Sequence, residues 1–141
     1  MIDSGILNRR LLALMSQLGH TDSFCICDAG LPTPEGVPVV DLALCQGVPE
    51  LPLVLQKVLQ QFTVEEYTVA SELKKHNPTY GETIDALLAA HSYHPKKQVL
   101  THEDFKEETK NCKFIVRTGD FHAYANVILY SASSDKFVSE K

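Results

Sequence analysis

The stretch Ser23-Phe24-Cys25-Ile26-Cys27-Asp28-Ala29-Gly30-Leu31-Pro32 decides the fold class. Its first five residues form a short apolar run of strand length, read as a buried strand from Ser23 to Cys27. The run then breaks into Asp28-Ala29-Gly30-Leu31-Pro32, a loop dense in turn formers. Upstream, Leu11, Leu12, Met15 and Leu18 recur at helical spacing. Asn8 is placed to cap that helix and Gly19 to end it. A helix, a short connection and a buried strand thus open the chain.

The alternation continues downstream. Val37 to Leu44 reads as a strand, with Pro38 suited to its beginning or to an edge. A helix follows Val48-Pro49 with Leu53, Val54, Val58 and Leu59 expected on its inner face, and Tyr67 to Ala70 reads as a strand. Glu72 to Pro78 is polar and breaks at Asn77-Pro78. Thr83 to Ala90 suits a helix, Gln98 to Thr101 a strand and Glu103 to Lys110 a short helix. Strands over Phe114 to Thr118 and Ala125 to Tyr130 complete the pattern. The expectation is an α/β layered fold in one domain, a sheet covered by helices over residues 1–130. Residues 131–141 read as a polar C-terminal tail in which Phe137 and Val138 are the residues able to dock.

The chain has 141 residues, 44% hydrophobic and 22% charged, an ordinary mixture for a domain with a sizeable core. A net charge of -5 and the lack of a Lys/Arg cluster argue against nucleic acid as a partner. No apolar run approaches the roughly 18 residues of a membrane-spanning helix. Met1 to Gly5 lacks the basic start of a signal peptide, so a cytoplasmic location is expected. The four cysteines, Cys25, Cys27, Cys45 and Cys112, contain no C-x-x-C and read as reduced and mostly buried. Cys25 and Cys27 share a strand face but lack a second pair for zinc, and His91 and His94 would pair only on a helix. No metal is expected. Nucleotide-binding and serine-hydrolase motifs are absent.

Sites in such sheets gather beyond the carboxyl ends of the strands, which singles out Asp28 and Gly119-Asp120. Asp28 admits two readings: a turn-forming carboxylate, or a partly desolvated acceptor for neighbouring sugar hydroxyls. His20, in Gly19-His20-Thr21-Asp22, lies in a connection where a near-neutral imidazole gives and takes protons, or serves as a surface or capping residue. Thr101 or His102 begins a helix, and capping explains Thr101 as well as function does. On a strand, Tyr124 and Asn126 would share a face; spacing alone favours an ordinary exposed face, while their uncharged donors and acceptors also suit a polyol.

Together these clusters resemble the D-ribose pyranase family. The match runs through Gly5-Ile6-Leu7-Asn8, Gly19-His20-Thr21-Asp22, Asp28-Ala29-Gly30-Leu31-Pro32 and Gln46-Gly47-Val48-Pro49. Lys75-His76-Asn77-Pro78, Thr101-His102-Glu103 and Tyr124-Ala125-Asn126 continue it in order, so it covers roughly residues 5 to 130. The resemblance implies a cytosolic isomerase that interconverts the pyranose and furanose forms of ribose without a cofactor. It implies His20 as general acid, with Asp28, His102, Tyr124 and Asn126 binding sugar and Ala125 contributing backbone contacts. It further implies a homo-oligomer, a ring with sites at subunit boundaries. A histidine in this role contributes about 10²–10⁴-fold. Asp28, His102 and water remain candidates for the complementary proton acceptor.

Three departures stand out. Gly119-Asp120 replaces the family's usual Gly-Glu, Phe121-His122-Ala123 is the chain's own variant, and Ser131-Ala132-Ser133-Ser134 replaces an apolar Gly-Val ending. Two other functions compete. A fucose-type mutarotase shares Gly-His-x-Asp and Asp-Ala, but Tyr-Gly-Asn is its tendency where this chain has Tyr124-Ala125-Asn126. A non-catalytic sugar-binding protein needs Asp28, Tyr124 and Asn126 but not His20.

Overall fold

The computed structural model describes residues 1–140. Among the described residues eleven elements follow one another: α1 (Arg9–Ser16), β1 (Ser23–Cys27), β2 (Val39–Asp41), α2 (Leu51–Leu59), β3 (Val64–Ala70), α3 (Ser71–His76), α4 (Pro78–Ala89), β4 (Lys96–Leu100), α5 (His102–Thr109), β5 (Ile115–Arg117) and β6 (Val127–Ser131). The six strands form one sheet in the order β2-β5-β1-β6-β3-β4. β1 is parallel to β5, β5 to β2, and β3 to β4, whereas β6 runs antiparallel to both neighbours, β1 and β3. Five strands therefore end on one edge of the sheet, and β6 begins on that same edge.

The apolar run that opens the reading becomes the centre of the sheet. All five residues of β1 are buried. Side chains alternate across a strand, so Phe24 and Ile26 join one apolar cluster and Cys25 and Cys27 the other. The first cluster packs against α1, α2 and α4 through Leu11, Met15, Val54, Leu55, Ile84 and Leu88. The second packs Phe105 of α5 with Cys112, Ile115 and Ile128. A sheet covered by helices is the architecture expected, and here the helices cover both faces. Among the described residues, no helix is long and apolar enough to cross a membrane.

Local chemistry sets the element ends. The Asn8 side chain accepts from the Leu11 N–H at 2.9 Å, the expected helix cap. At Asn77-Pro78 the proline ring disfavours helical backbone in the residue before it. Asn77 accordingly leaves the helical region (φ -137°, ψ 65°) between α3 and α4. The break is where it was expected, and the polar stretch before it forms α3.

Several details differ from expectation. On α2 the buried stripe is Leu51, Val54, Leu55 and Val58, an i, i+3, i+4, i+7 set. Leu53 falls off that stripe and is 52% exposed. The strand expected over Val37 to Leu44 shortens to β2, which begins only after Pro38. β6 carries through Ser131, one residue past the expected boundary, and the Ala132 N–H donates to the Thr63 carbonyl at 3.0 Å. Phe137 and Val138 do not dock but are exposed.

Phe24 is wholly buried, stacked on Phe114 at 4.7 Å and edge-on to Phe62 at 5.4 Å. Phe24→Ala removes three-way aromatic packing at the sheet centre. The expected loss is about 3–5 kcal/mol, read as a lower urea midpoint with an unchanged slope.

Candidate functional site

The carboxyl edge of the sheet gathers four of the expected residues. Asp28 follows β1, His102 follows β4, and Tyr124 and Asn126 lead into β6. The Asn126 Oδ1 accepts from the Asp28 backbone N–H at 2.8 Å, tying the two strands together at that edge. Asn126 is fully buried, yet its Nδ2 has no partner. The His102 backbone is anchored at the start of α5, where its N–H donates to both Glu72 carboxylate oxygens at 3.0 and 3.1 Å. Its buried Nδ1 likewise has no partner. Buried polar atoms are nearly always hydrogen-bonded, so these two unpartnered atoms are the ones at this edge free to contact a polar ligand.

Tyr124 joins these groups. Its ring lies edge-on to His102 at 4.9 Å and tilted against His76 at 5.2 Å. The strand expected from Ala125 begins only at Val127, so Tyr124 and Asn126 are not placed by strand alternation. Tyr124 instead sits in a turn at φ 65°, and the Asn126 N–H donates to the Tyr124 carbonyl at 2.8 Å. The turn is braced by the Asn77 side chain, which donates to the Ala123 carbonyl at 2.8 Å. Ala125 is wholly buried and its N–H is spent on the His122 carbonyl at 3.2 Å.

Asp28 serves both of its readings. Its Oδ1 accepts the Gly30 N–H at 2.9 Å, an Asx-type turn, while burial raises the carboxyl above its ordinary 3.8. Backbone N–H groups of Gly30 and Leu31 oppose that rise without cancelling it. It lines an open cleft of about 320 Å³ with Gly30, Arg117, Asp120 and His122. The Arg117 guanidinium is turned away from it, bonded to the Ala29 carbonyl and to Asp41 at 3.1 Å. A desolvated carboxylate without a cation is suited to hydroxyl donors.

Asp120, at the carboxyl end of β5, is buried at 1% exposure. Burial works to raise its carboxyl, but donors overcome this and lower it: Tyr80 O–H, the Leu51 N–H at 2.8 Å, and both the backbone N–H and Nδ1 of His122 at 2.8 Å. Gly119 beside it has no room for a side chain, since a Cβ would lie 2.5 Å from the Cys45 carbonyl.

His20 is elsewhere. It precedes β1, on the opposite edge of the sheet, and its Nε2 contacts the Glu65 carboxylate near the start of β3. The five residues of β1 at about 3.3 Å each separate it from Asp28 by roughly 16 Å. One chain thus brings together Asp28, His102, Tyr124, Ala125 and Asn126 but not His20.

The metal-type pairs considered from sequence dissolve. Burial pushes the Cys27 thiol up to about 12 and Cys25 well above its usual value, so both stay protonated. His91 bonds to the Phe62 carbonyl and His94 sits at φ 49°, off any helix. A different group, Glu50, Asp120 and His122, brings ligand-type atoms within 4.8 Å of one another. It joins Glu50 to residues some seventy positions away, and like the contacts of Glu65, Glu72 and Tyr80 it has no signal in local spacing. A second cleft of about 320 Å³, lined by Ser71, Lys74, Asp85 and Lys97, holds none of the expected site residues.

The model of the RbsD / FucU transport protein family matches residues 1–133. The chain belongs to this family. The family's curated relatives include D-ribose pyranases of Geobacillus thermodenitrificans and Rhodopirellula baltica. The first is 43% identical over 128 residues, spanning 91% of this chain and 94% of the relative. The second is 43% identical over 126 residues, spanning 89% and 93%. Bacillus subtilis RbsD complexed with D-ribose superposes with a TM-score of 0.88 at 36% identity, covering 95% of this chain and 99% of that one. The fucose mutarotase of Streptococcus pneumoniae, with L-fucose, shares the fold at a TM-score of 0.76 and 23% identity, over 90% and 94% of the two chains.

Asp28 carries a stability consequence. A carboxyl raised in the folded state disfavours folding while ionised, and this cost fades as the pH falls through the raised value toward 3.8. Asp28→Asn keeps the turn acceptor and removes the charge. The variant is expected to melt above the wild type at pH 7, with the gap closing on acidification through that window, measured by calorimetry.

Proposed function

We propose that this chain is a D-ribose pyranase, a cytoplasmic isomerase that interconverts the β-pyranose and β-furanose forms of ribose. The observation that carries the reading is the polar cluster at the carboxyl edge, where buried His102 Nδ1 and Asn126 Nδ2 wait beside Asp28 and Tyr124. The relatives' pyranase activity and the ribose-bound RbsD support the choice of sugar. Four unpaired cysteines accord with a reducing compartment.

The chemistry follows from the residue types. A ribose hydroxyl donates to the Asp28 carboxylate, and the Asn126 amide donates to a ring or hydroxyl oxygen. Tyr124, braced between His76 and His102, closes over the sugar. Ring opening needs a proton on the ring oxygen as the anomeric hydroxyl loses one, and closure by another hydroxyl gives the other ring size. No oxidation or group transfer occurs, so no cofactor is required. His20 is the general acid, and because it lies on the far edge of its own chain, it acts on the sugar of a neighbouring copy. The active form is then a homo-oligomer with sites between subunits.

Magnetisation transfer between the pyranose and furanose signals of ribose tests the activity. Exchange is expected to rise with protein and to fall about 10²–10⁴-fold in His20→Ala, with ribose binding retained. Unaccelerated exchange with binding intact would leave a sugar-binding protein, and acceleration of L-fucose anomers alone would move the reading to a fucose mutarotase.

The composite site has its own test. His20→Ala and Asn126→Ala, each inactive alone, are expected to recover part of the wild-type exchange when unfolded and refolded together. Mixed oligomers then contain sites with both groups intact. Persistent inactivity of verified mixed oligomers would place the whole site within one chain.

A further inference from the structure

Ring opening moves two protons, and His20 accounts for one. We propose that His122, held by Asp120, is the second acid–base group of the sugar site and takes the anomeric proton. This rests on the pyranase reading and adds to it a residue of this chain's own variant, Phe121-His122-Ala123.

The geometry is that of an oriented imidazole. Asp120 is the anchor: its side chain is fully buried, and the Leu51 N–H and Tyr80 O–H fix one carboxylate oxygen while His122 occupies the other. The 2.8 Å contact from His122 Nδ1 to Asp120 Oδ1 sets which ring nitrogen carries the proton. Tyr80 stacks on the imidazole at 3.9 Å and 16°, which fixes the ring plane. Glu50, leading into α2, places a second carboxylate 3.4 Å from the same Nδ1. Nε2 makes no hydrogen bond among the described residues, and the ring, 42% exposed, lines the cleft it shares with Asp28. A carboxylate on Nδ1 with Nε2 free is the arrangement by which a histidine acts as general base. The other charged group on the cleft, Arg117, is engaged with Asp41.

The proton balance closes. His122 Nε2 takes the proton of the anomeric hydroxyl, whose electron pair forms the carbonyl as the bond from C1 to the ring oxygen breaks. The ring oxygen takes a proton from His20. In closure a different hydroxyl attacks C1 and gives its proton to His20, while His122 returns its proton to the carbonyl oxygen. Both histidines end as they began. Asp120 touches no substrate and is a positioning residue.

His122→Gln and His122→Ala test the assignment, with exchange read by magnetisation transfer and ribose binding by calorimetry. Exchange is expected to fall about 10²-fold, with ribose affinity within a few-fold of wild type. Added imidazole is expected to restore part of the exchange in His122→Ala but none in His20→Ala. Wild-type exchange in His122→Gln beside an inactive His20→Ala would overturn the assignment while leaving the pyranase reading intact. Loss of exchange only in proportion to lost binding would make His122 a binding contact and overturn it equally. Exchange in the wild type that a chelator abolishes and zinc restores would reassign Glu50, Asp120 and His122 to a metal. A wild type without any exchange would overturn both readings.

Discussion

The site depends on the reversed insertion of β6 between β1 and β3. Five strands deliver their carboxyl ends to one edge, and an antiparallel strand is the one kind whose beginning can lie there too. The hydrogen bond from the Asp28 N–H to the Asn126 side chain marks the meeting point. It holds the loop after β1 against the turn before β6, and the Tyr124 ring then reaches His102 after β4. Asp28 and Asn126, nearly a hundred positions apart, converge because β6, which follows Asn126, runs antiparallel to β1.

The same arrangement explains why burial and polarity coexist here. The strands end against helices on both faces, so the edge is partly dehydrated where polar side chains collect. Asp120 is satisfied by four donors and stays ionised, whereas Asp28 has fewer and is raised. His102 and Asn126 keep one unpartnered atom each. A fold that saturates one carboxylate and leaves its neighbours short of partners separates structural from ligand-binding polarity.

Much of this was legible in the chain. β1 coincides with the expected Ser23 to Cys27, because an apolar run with turn formers on its flank leaves little alternative. Asn8 caps α1 and Thr101 caps α5 through short-range hydrogen bonds that depend on neighbours three residues away. The turn at Tyr124 leaves no local signal, since a tyrosine at positive φ is stabilised there by Asn77, which is distant in sequence. The inner face of α2 was misphased because periodicity alone does not say which leucines meet the sheet.

By itself the sequence determined the layered α/β class, the buried strand from Ser23 to Cys27 and the residue types suited to a polyol. Each follows from local patterning: apolar runs, caps, and polar residues at strand ends. Only the tertiary structure decided that His20 lies on the far edge from Asp28, that His102 and Asn126 keep unpaired atoms, and that His122 rests on a buried Asp120. Those facts depend on strand order and direction, which arise from packing between distant segments and leave no mark in the spacing of neighbouring residues.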